Sequence, residues 1–325
     1  MEKVTMADVA KAAGVSKSTV SQFLNNRFEY MSGKTKQKIE EAIEALGYQP
    51  NYIARSLKQK RTSMVGIIVA NIMHYFSTEV SRAIEDFCHQ HDLHAIVCNA
   101  DDDPEKEKKY IEMLRAKQVD GLIIFPTGQN NELYESMIKQ GYPVVFVDRK
   151  AVNLPVFSIV TDNRESTYRA IQQFIENGHK RIAFAVQPLK VSTRIERFEG
   201  YQQALRDAVL EIYPDFVIES DIPGMRSKLD KLFSLEERPT AIFAGNDRVF
   251  LEVVKYLKEK GIKAGEEIEL VVFDNIPFAE VVETPFHFIV QPATEMGTKA
   301  AELLFEQIKK TDMAPEEFVF PSKWM

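Results

Sequence analysis

"TMADVAKAAGVSKSTVSQFLNN", residues 5–26, reads as two short helices around a single glycine. Thr5 stands at the start of the first, with Asp8 three residues on in a capping-box arrangement. Gly14 falls where the chain needs a left-handed residue to stop. Ser16 then caps a second helix that runs to about Leu24, and Ala10, Val15, Val20 and Leu24 supply a small interlocking core. This is the spacing of a helix-turn-helix, whose second helix enters the DNA major groove by its N-terminal residues. Downstream, Ser32 starts a third helix over "GKTKQKIEEAIEALGY", with Ile39, Ile43 and Leu46 on one face and Gly47 as its stop. Helix–glycine–helix alone would also suit a plain three-helix bundle with solvated lysines, so charge has to decide.

The chain carries a formal charge of −7 over 325 residues. Residues 1–60 hold ten Lys/Arg against six Asp/Glu, a local +4, and the remainder therefore stands at −11. A basic head on an acidic body points to an anionic partner confined to the first sixty residues. The segment that ends this head, "PNYIARSLKQKRT" (50–62), sets Leu57 among Arg55, Lys58, Lys60 and Arg61. Its helix-compatible run of five residues is too short to stand alone, since isolated helices need roughly 12–15 residues to be even marginal in water.

"VTMADVAKAAGVSKSTVSQFLN" followed by "KTKQKIEEAIEALGYQPNYIARSLKQKRT" resembles the N-terminal domain of the LacI/GalR family of bacterial transcription regulators. The resemblance implies that residues 1–49 form a DNA-binding head. It also implies that residues 50–62 form a hinge helix made only on DNA, paired with its twin in a homodimer. Leu57 is then the wedge in the minor groove, Ala54 sits at the close contact, and Asn51, Arg55 and Lys58 flank the backbone. Apolar wedges that unstack a base step and kink the duplex are a known device. In the major groove, Lys suits guanine O6/N7 and Gln suits adenine. By resemblance, Lys17, Ser18 and Gln22 read bases, and Thr5, Ser16, Ser21 and Asn25 contact phosphates. Many relatives carry Arg where this chain has Gln22, which leaves the operator sequence open.

From Met64 the pattern changes to apolar strands alternating with amphipathic helices. The strands are "MVGIIVA" (64–70), "HAIVCNA" (94–100), "GLIIFP" (121–126), "VVFVD" (144–148), "FSIVTD" (157–162), "RIAFAV" (181–186), "AIFAGND" (241–247) and "LVVFDN" (270–275). Continuous apolar strands separated by helices mean parallel sheets covered on both faces, here two doubly wound subdomains. Ligands of such folds bind in the crevice at the strand C-terminal ends. The whole resembles a periplasmic-binding-protein-like effector core over 63–325. That implies an N-subdomain of about 63–161 and 292–318 and a C-subdomain of about 162–290 and 319–325. "FVFPSKWM" reads as the last strand.

Polar residues at strand ends are the effector candidates. "STRIERFEGY" carries the family's R-x-x-G element, which implies that Arg197 points into the cleft, with Arg194 beside it. "GND" offers Asn246 and Asp247, "FDN" Asp274, "IVQP" Gln291 and "VDR" Asp148 and Arg149, while Tyr75 and Phe76 are candidate stacking surfaces. Carboxylates and amides suit sugar hydroxyls, aromatics suit a ring face, and Arg suits a carboxylate or phosphate. Within the family, residues 70–128 are similar to repressors of pectin-derived sugar-acid catabolism that respond to 2-keto-3-deoxygluconate, which implies an anionic effector.

Other signals read more plainly. "CHQHDLHAIVC" (88–98) gathers two Cys and three His, but Cys88 repeats with Ile84 on a core face, Cys98 lies in a strand, and the spacing does not suit zinc. In "DDDPEKE", Asp103 caps a helix with Pro104 at its first position. No dinucleotide, nucleotide-triphosphate, serine-hydrolase or metalloprotease motif is present. The chain shows no secretory signal and no membrane span, and its two cysteines suit a reducing compartment. The expectation is a cytoplasmic DNA-binding repressor of carbohydrate catabolism genes, with no cofactor, metal or membrane partner and no enzymatic activity. It would bind a near-palindromic double-stranded operator as a homodimer under allosteric control of a small sugar or sugar acid. The alternatives are a solute-binding protein, or a regulator of the same fold with a non-sugar, purine-type effector.

Overall fold

A computed structural model of the chain describes residues 4–49, 61–151, 153–276, 279 and 285–325. Asn51, Ala54, Arg55, Leu57 and Lys58 lie outside the described residues. The chain divides into two compact units, Met1–Thr62 and Ser63–Met325.

The first unit has three helices, α1 (Met6–Ala13), α2 (Lys17–Leu24) and α3 (Gly33–Leu46). The Asp8 carboxylate accepts from the Thr5 backbone N–H at 2.8 Å and from the Thr5 hydroxyl at 2.7 Å. Gly14 takes the left-handed conformation (φ 65°), and the Val15 N–H closes back on Ala10 O at 3.0 Å. Ser16 and Ser32 cap α2 and α3 through the N–H groups of Thr19 and Thr35. Val9, Val20 and Ile39 are fully buried, with Ala10, Ala13, Ala42 and Tyr48 around them. Leu46, expected in this core, is 36% exposed. Gly47 (φ 59°) turns the chain there, and Tyr48 folds back to cover the α3 face in its place, its N–H donating to Ile43 O.

The second unit is built on two six-stranded sheets. The first is wholly parallel and contains β1 (Met64–Val69), β2 (His94–Asn99), β3 (Gly121–Ile124), β4 (Val144–Val147), β5 (Phe157–Thr161) and β11 (Glu317–Phe320), in the order β11-β5-β4-β3-β1-β2. Its two faces are covered by α4 (Tyr75–Gln90) with α11 (Ala293–Ile308), and by α5 (Pro104–Ala116) with α6 (Asn131–Lys139). The second sheet contains β6 (Ile182–Val186), β7 (Val217–Glu219), β8 (Ala241–Ala244), β9 (Glu269–Phe273), β10 (His287–Val290) and β12 (Lys323–Trp324), in the order β12-β10-β9-β8-β6-β7. β12 alone runs antiparallel. This sheet lies between α7 (Asn163–Glu176) with α8 (Ser192–Asp207), and α9 (Ile222–Phe233) with α10 (Asp247–Lys260).

Central strands such as β3, β4, β6 and β8 are buried at every position, as their unbroken apolar runs require. β2 is an edge strand instead, with His94 and Val97 exposed. "FVFPSKWM" is not one strand: Glu317–Phe320 pairs with β5, the chain crosses at Pro321–Ser322, and Lys323–Trp324 pairs with β10 in the other sheet. With the crossings between β5 and α7 and between β10 and α11, three chain segments connect the two halves, and the strand C-terminal ends of both sheets border one crevice.

Candidate functional site

His74, Phe76 and Ser77 follow β1, Asp148 and Arg149 follow β4, Asn246 follows β8, Asp274 follows β9 and Gln291 follows β10. With Thr193, Arg194 and Arg197 from α8 they line the crevice. The free space there is about 40 Å³, room for a few waters and far below the roughly 300 Å³ at which ligand pockets begin. The crevice is closed and filled by its own side chains. Asp102, Asp148 and Asp274 all sit at strand ends with left-handed backbone (φ 57°, 71° and 113°). Such conformations cost about 1–3 kcal/mol each and concentrate at functional sites.

Arginine dominates the interior. Arg149, Arg194 and Arg197 are all buried. Arg197 donates through Nε to Asn163 Oδ1 (2.8 Å) and through Nη1 to Gly245 O (2.7 Å), and its guanidinium lies 3.6 Å over the Phe273 ring. Gly200, one turn on, permits that placement, because a Cβ there would meet Arg164 O at 2.3 Å. Arg194 donates to Pro188 O (3.1 Å) and to Asp102 Oδ2 (3.3 Å). Arg149 brings Nη1 within 2.7 Å of Asp102 Oδ1 and Nε within 3.4 Å of Asp148 Oδ2, a contact too poorly aligned to be a hydrogen bond, so its Nε has no hydrogen-bond acceptor among the described residues. Burial works against the Asp102 charge, but Arg149 and Arg194 outweigh it and hold the carboxyl below its usual range. Burial, reinforced by the charge of Arg149, pulls Arg194 down to about 10.

The acids differ among themselves. Burial raises Asp274 to about 7, although Arg197 opposes the shift, and Gln291 Nε2 donates to its Oδ1 at 2.5 Å. Gln291 Oε1 is buried without a hydrogen-bond partner among the described residues. Asp247 is held low despite burial by a 2.5 Å contact with His74 Nδ1 and by the backbone N–H of Tyr75 at 3.0 Å. His74, Asp247 and Asp274 each offer a ligand atom within 4.8 Å of the others. His74 Nδ1 and Asp247 Oδ1 are committed to each other, however, and the Arg197 charge acts on Asp274, so the trio is a hydrogen-bonded pair beside a buried acid. Asn246 caps α10 through Val249 N–H and donates to Gln187 Oε1.

Asp148, Arg149, Arg194, Arg197, Asn246, Asp274, Gln291 and Phe76 therefore gather in one cleft. Tyr75 does not line it: its neighbour Phe76 does, and successive helix positions point about 100° apart. Asp102, His74, Thr193 and Ser77 belong there too, unsignalled by strand-end motifs. A larger cavity of about 220 Å³ lies away from the cleft beside Tyr142, Pro143, Phe157 and Met313, and no charged residue lines it. Cys88 and Cys98 sit in the cores on opposite faces of the first sheet, and burial pushes the Cys88 thiol up to about 11.

On the head, Lys17, Ser18 and Gln22 are exposed. Ser16 and Ser18 pair through their hydroxyls (2.7 Å), the Thr5 hydroxyl is engaged by Asp8, and Asn25 Nδ2 donates to Ser21 O at 2.6 Å. Tyr30, in the turn after α2, is 96% exposed. Its aromatic ring in water is a candidate contact that helix-turn-helix spacing does not flag.

A helix-turn-helix head joined to a two-sheet binding core defines a ligand-responsive DNA-binding regulator. Residues 5–51 match the bacterial regulatory proteins of the lacI family, and residues 62–325 match the periplasmic binding proteins and sugar binding domain of LacI family. The chain belongs to the LacI family: it is a DNA-binding transcriptional regulator and not an enzyme. It is 44% identical over 316 residues to the probable HTH-type transcriptional regulator EndR of Paenibacillus polymyxa, covering 96% of this chain and 93% of that protein. It is 33% identical over 311 residues to the HTH-type transcriptional repressor PurR of Vibrio atlanticus (strain LGP32), covering 95% and 93%. Among solved structures, the Lac repressor bound to ONPG matches with a TM-score of 0.87 at 25% identity, over 100% of this chain and 98% of that one. A CelR–cellobiose complex matches with a TM-score of 0.71 at 25% identity, over 99% and 98%. Among the described residues no helix is long and apolar enough to cross a membrane.

Proposed function

We propose that the protein is a repressor of carbohydrate catabolism genes whose hold on DNA is controlled by a small sugar acid bound in the cleft. The observation that carries this reading is the convergence of three buried arginines, Arg149, Arg194 and Arg197, on one crevice. Guanidinium forks match carboxylates bidentately. Asp148, Asp274, Asn246 and Gln291 add acceptors and donors suited to hydroxyls. Phe76 lines the crevice, and its ring suits one face of a sugar.

In this reading a homodimer presents two heads to a near-palindromic operator. Lys17, Ser18 and Gln22 read bases, and Thr5, Ser16, Ser21 and Asn25 meet phosphates after exchanging their internal hydrogen bonds. Leu57, with Ala54 at the close contact and Asn51, Arg55 and Lys58 along the backbone, opens the operator centre. The effector acts by binding one arrangement of the core better than the other.

Thermal melting against neutral hexoses, uronic and aldonic acids, sugar phosphates and purine bases tests the effector class, because selective binding to the native state raises the melting temperature. A shift with the acids alone, lost in Arg197→Gln, is the expected result. A shift with neutral sugars or purines alone overturns the acid reading and leaves the regulator. The PurR relatives, a third identical to this chain, are the reason purines belong in the panel.

A further inference from the structure

Side chains reach across the crevice to partners far along the chain: Arg194 to Asp102, His74 to Asp247 and Lys150 to Glu196. The first contact is the unusual one. Asp102 follows β2 in a left-handed conformation and ends between two guanidinium groups, one on each side of the crevice. Arg149 is 2.7 Å from Oδ1 and Arg194 is 3.3 Å from Oδ2. Two buried cations thus converge on the Asp102 carboxylate, and although Asp148 Oδ2 lies 3.4 Å from Arg149 Nε, that donor has no aligned hydrogen-bond acceptor among the described residues. Buried donors without acceptors are rare in native proteins and call for an explanation, such as a ligand that supplies the missing oxygen.

We propose that Asp102 is a built-in stand-in for the effector carboxylate. In the free protein it occupies the seat between Arg149 and Arg194, and an acidic effector binds by displacing it. This rests on the acid-effector reading given above. The exchange replaces one carboxylate with another, so neither arginine is left buried without an anion at any stage, a condition that would be costly. A free ligand can also approach with both oxygens oriented toward Arg149 Nε and Nη, which Asp102, tied to its own backbone, does not satisfy. Displacement breaks the Arg194–Asp102 link between the two sides of the crevice, so binding and release of that latch are one event. A neutral sugar offers no group that competes for the seat. Asp102 is therefore a specificity residue: it selects acids by being one.

The test uses the full chain and the variants Asp102→Ala and Asp102→Asn. With the internal carboxylate removed, the empty seat takes up a small free carboxylate. Sodium formate at 100 mM is expected to raise the melting temperature of Asp102→Ala by about 3 °C over sodium chloride at equal ionic strength, given binding in the 10 mM range. The parent protein shows no formate-specific shift. Formate shifts that are equal in parent and variant, or absent from both variants, overturn the proposal. Asp102→Asn, nearly the same shape, covers the case in which the alanine variant does not fold. In a second arm, sugar acids that bind the parent are expected to bind Asp102→Asn at least tenfold more tightly, while affinity for neutral sugars is unchanged. Sugar acids that bind the parent but bind Asp102→Asn equally or more weakly overturn the exchange and leave the acid-effector reading standing. Formate rescue without binding of any sugar acid to either protein supports the seat and discards the acid effector.

Discussion

Asp274 is the residue whose charge the fold disfavours most clearly. Its carboxyl is raised by burial from an ordinary value near 3.8 to about 7. The folded chain therefore holds this proton more tightly than the unfolded chain does. Stability from this group is fully present below the unfolded value and is lost as pH rises through 7. Asp274→Asn removes the titration while keeping an acceptor for Gln291 Nε2. The variant is expected to match the parent only below about pH 4, and its advantage is expected to grow by roughly 2–3 kcal/mol between pH 5 and pH 8, read from melting curves at both pH values. A constant difference across that range overturns the assignment. Arg197 is the counterpart. Arg197→Lys keeps the charge but loses the fork that joins Asn163 Oδ1 to Gly245 O and the flat face over Phe273. Orphaning those two buried acceptors costs about 1–3 kcal/mol each. Melting should fall by several degrees, and any ligand-induced shift should shrink with it.

At the scale of elements, capping decides the head. Ser16 accepts from Thr19 N–H at the start of α2, and replacing such a cap with Ala costs about 1 kcal/mol. Ser16→Ala should accelerate amide exchange at Thr19 and Val20 about fivefold and weaken operator binding, without changing ligand-induced melting shifts. Unaltered exchange would mean that the cap does not hold the helix. What could be read in the sequence follows the same physics. Capping residues and left-handed glycines act locally, so α1, α2 and α3 are legible from composition within a turn. Strands buried on both faces are legible as unbroken apolar runs. β7 and β12 are not, because three- and two-residue edge strands carry no period. Strand-end acids such as Asp148 and Asp274 stand out at the end of an apolar run. Asp102 and His74 do not, since their partners lie far along the chain and only the closing of the crevice pairs them. Tyr75 and Phe76 look equivalent in the sequence, and only helix phase separates them.

For the whole molecule, charge and connectivity set the division of labour. The positive charge lies in the first sixty residues and the negative charge in the rest, so salt should act on operator binding far more than on the core. Replacing Leu57 with Ala removes the apolar wedge proposed for the operator centre. Operator affinity, measured by fluorescence anisotropy, should fall at least tenfold while the ligand-induced melting shift of the core is preserved; equal loss of both would break the separation of roles. Coupling between the two units makes the stricter demand. If a cleft ligand changes operator affinity by some factor, the operator must change ligand affinity by the same factor, because both sides report one coupling free energy, typically 1–3 kcal/mol. The sugar acid that shifts melting should therefore be titrated by calorimetry with and without saturating operator. The ratio of its two dissociation constants should equal the ratio of operator dissociation constants measured with and without ligand. Leu57→Ala, by weakening the DNA-bound arrangement, should bring both ratios toward one together. A ligand affinity indifferent to operator, beside an operator affinity that responds to ligand, would mean that the cleft is not the site through which control is exerted.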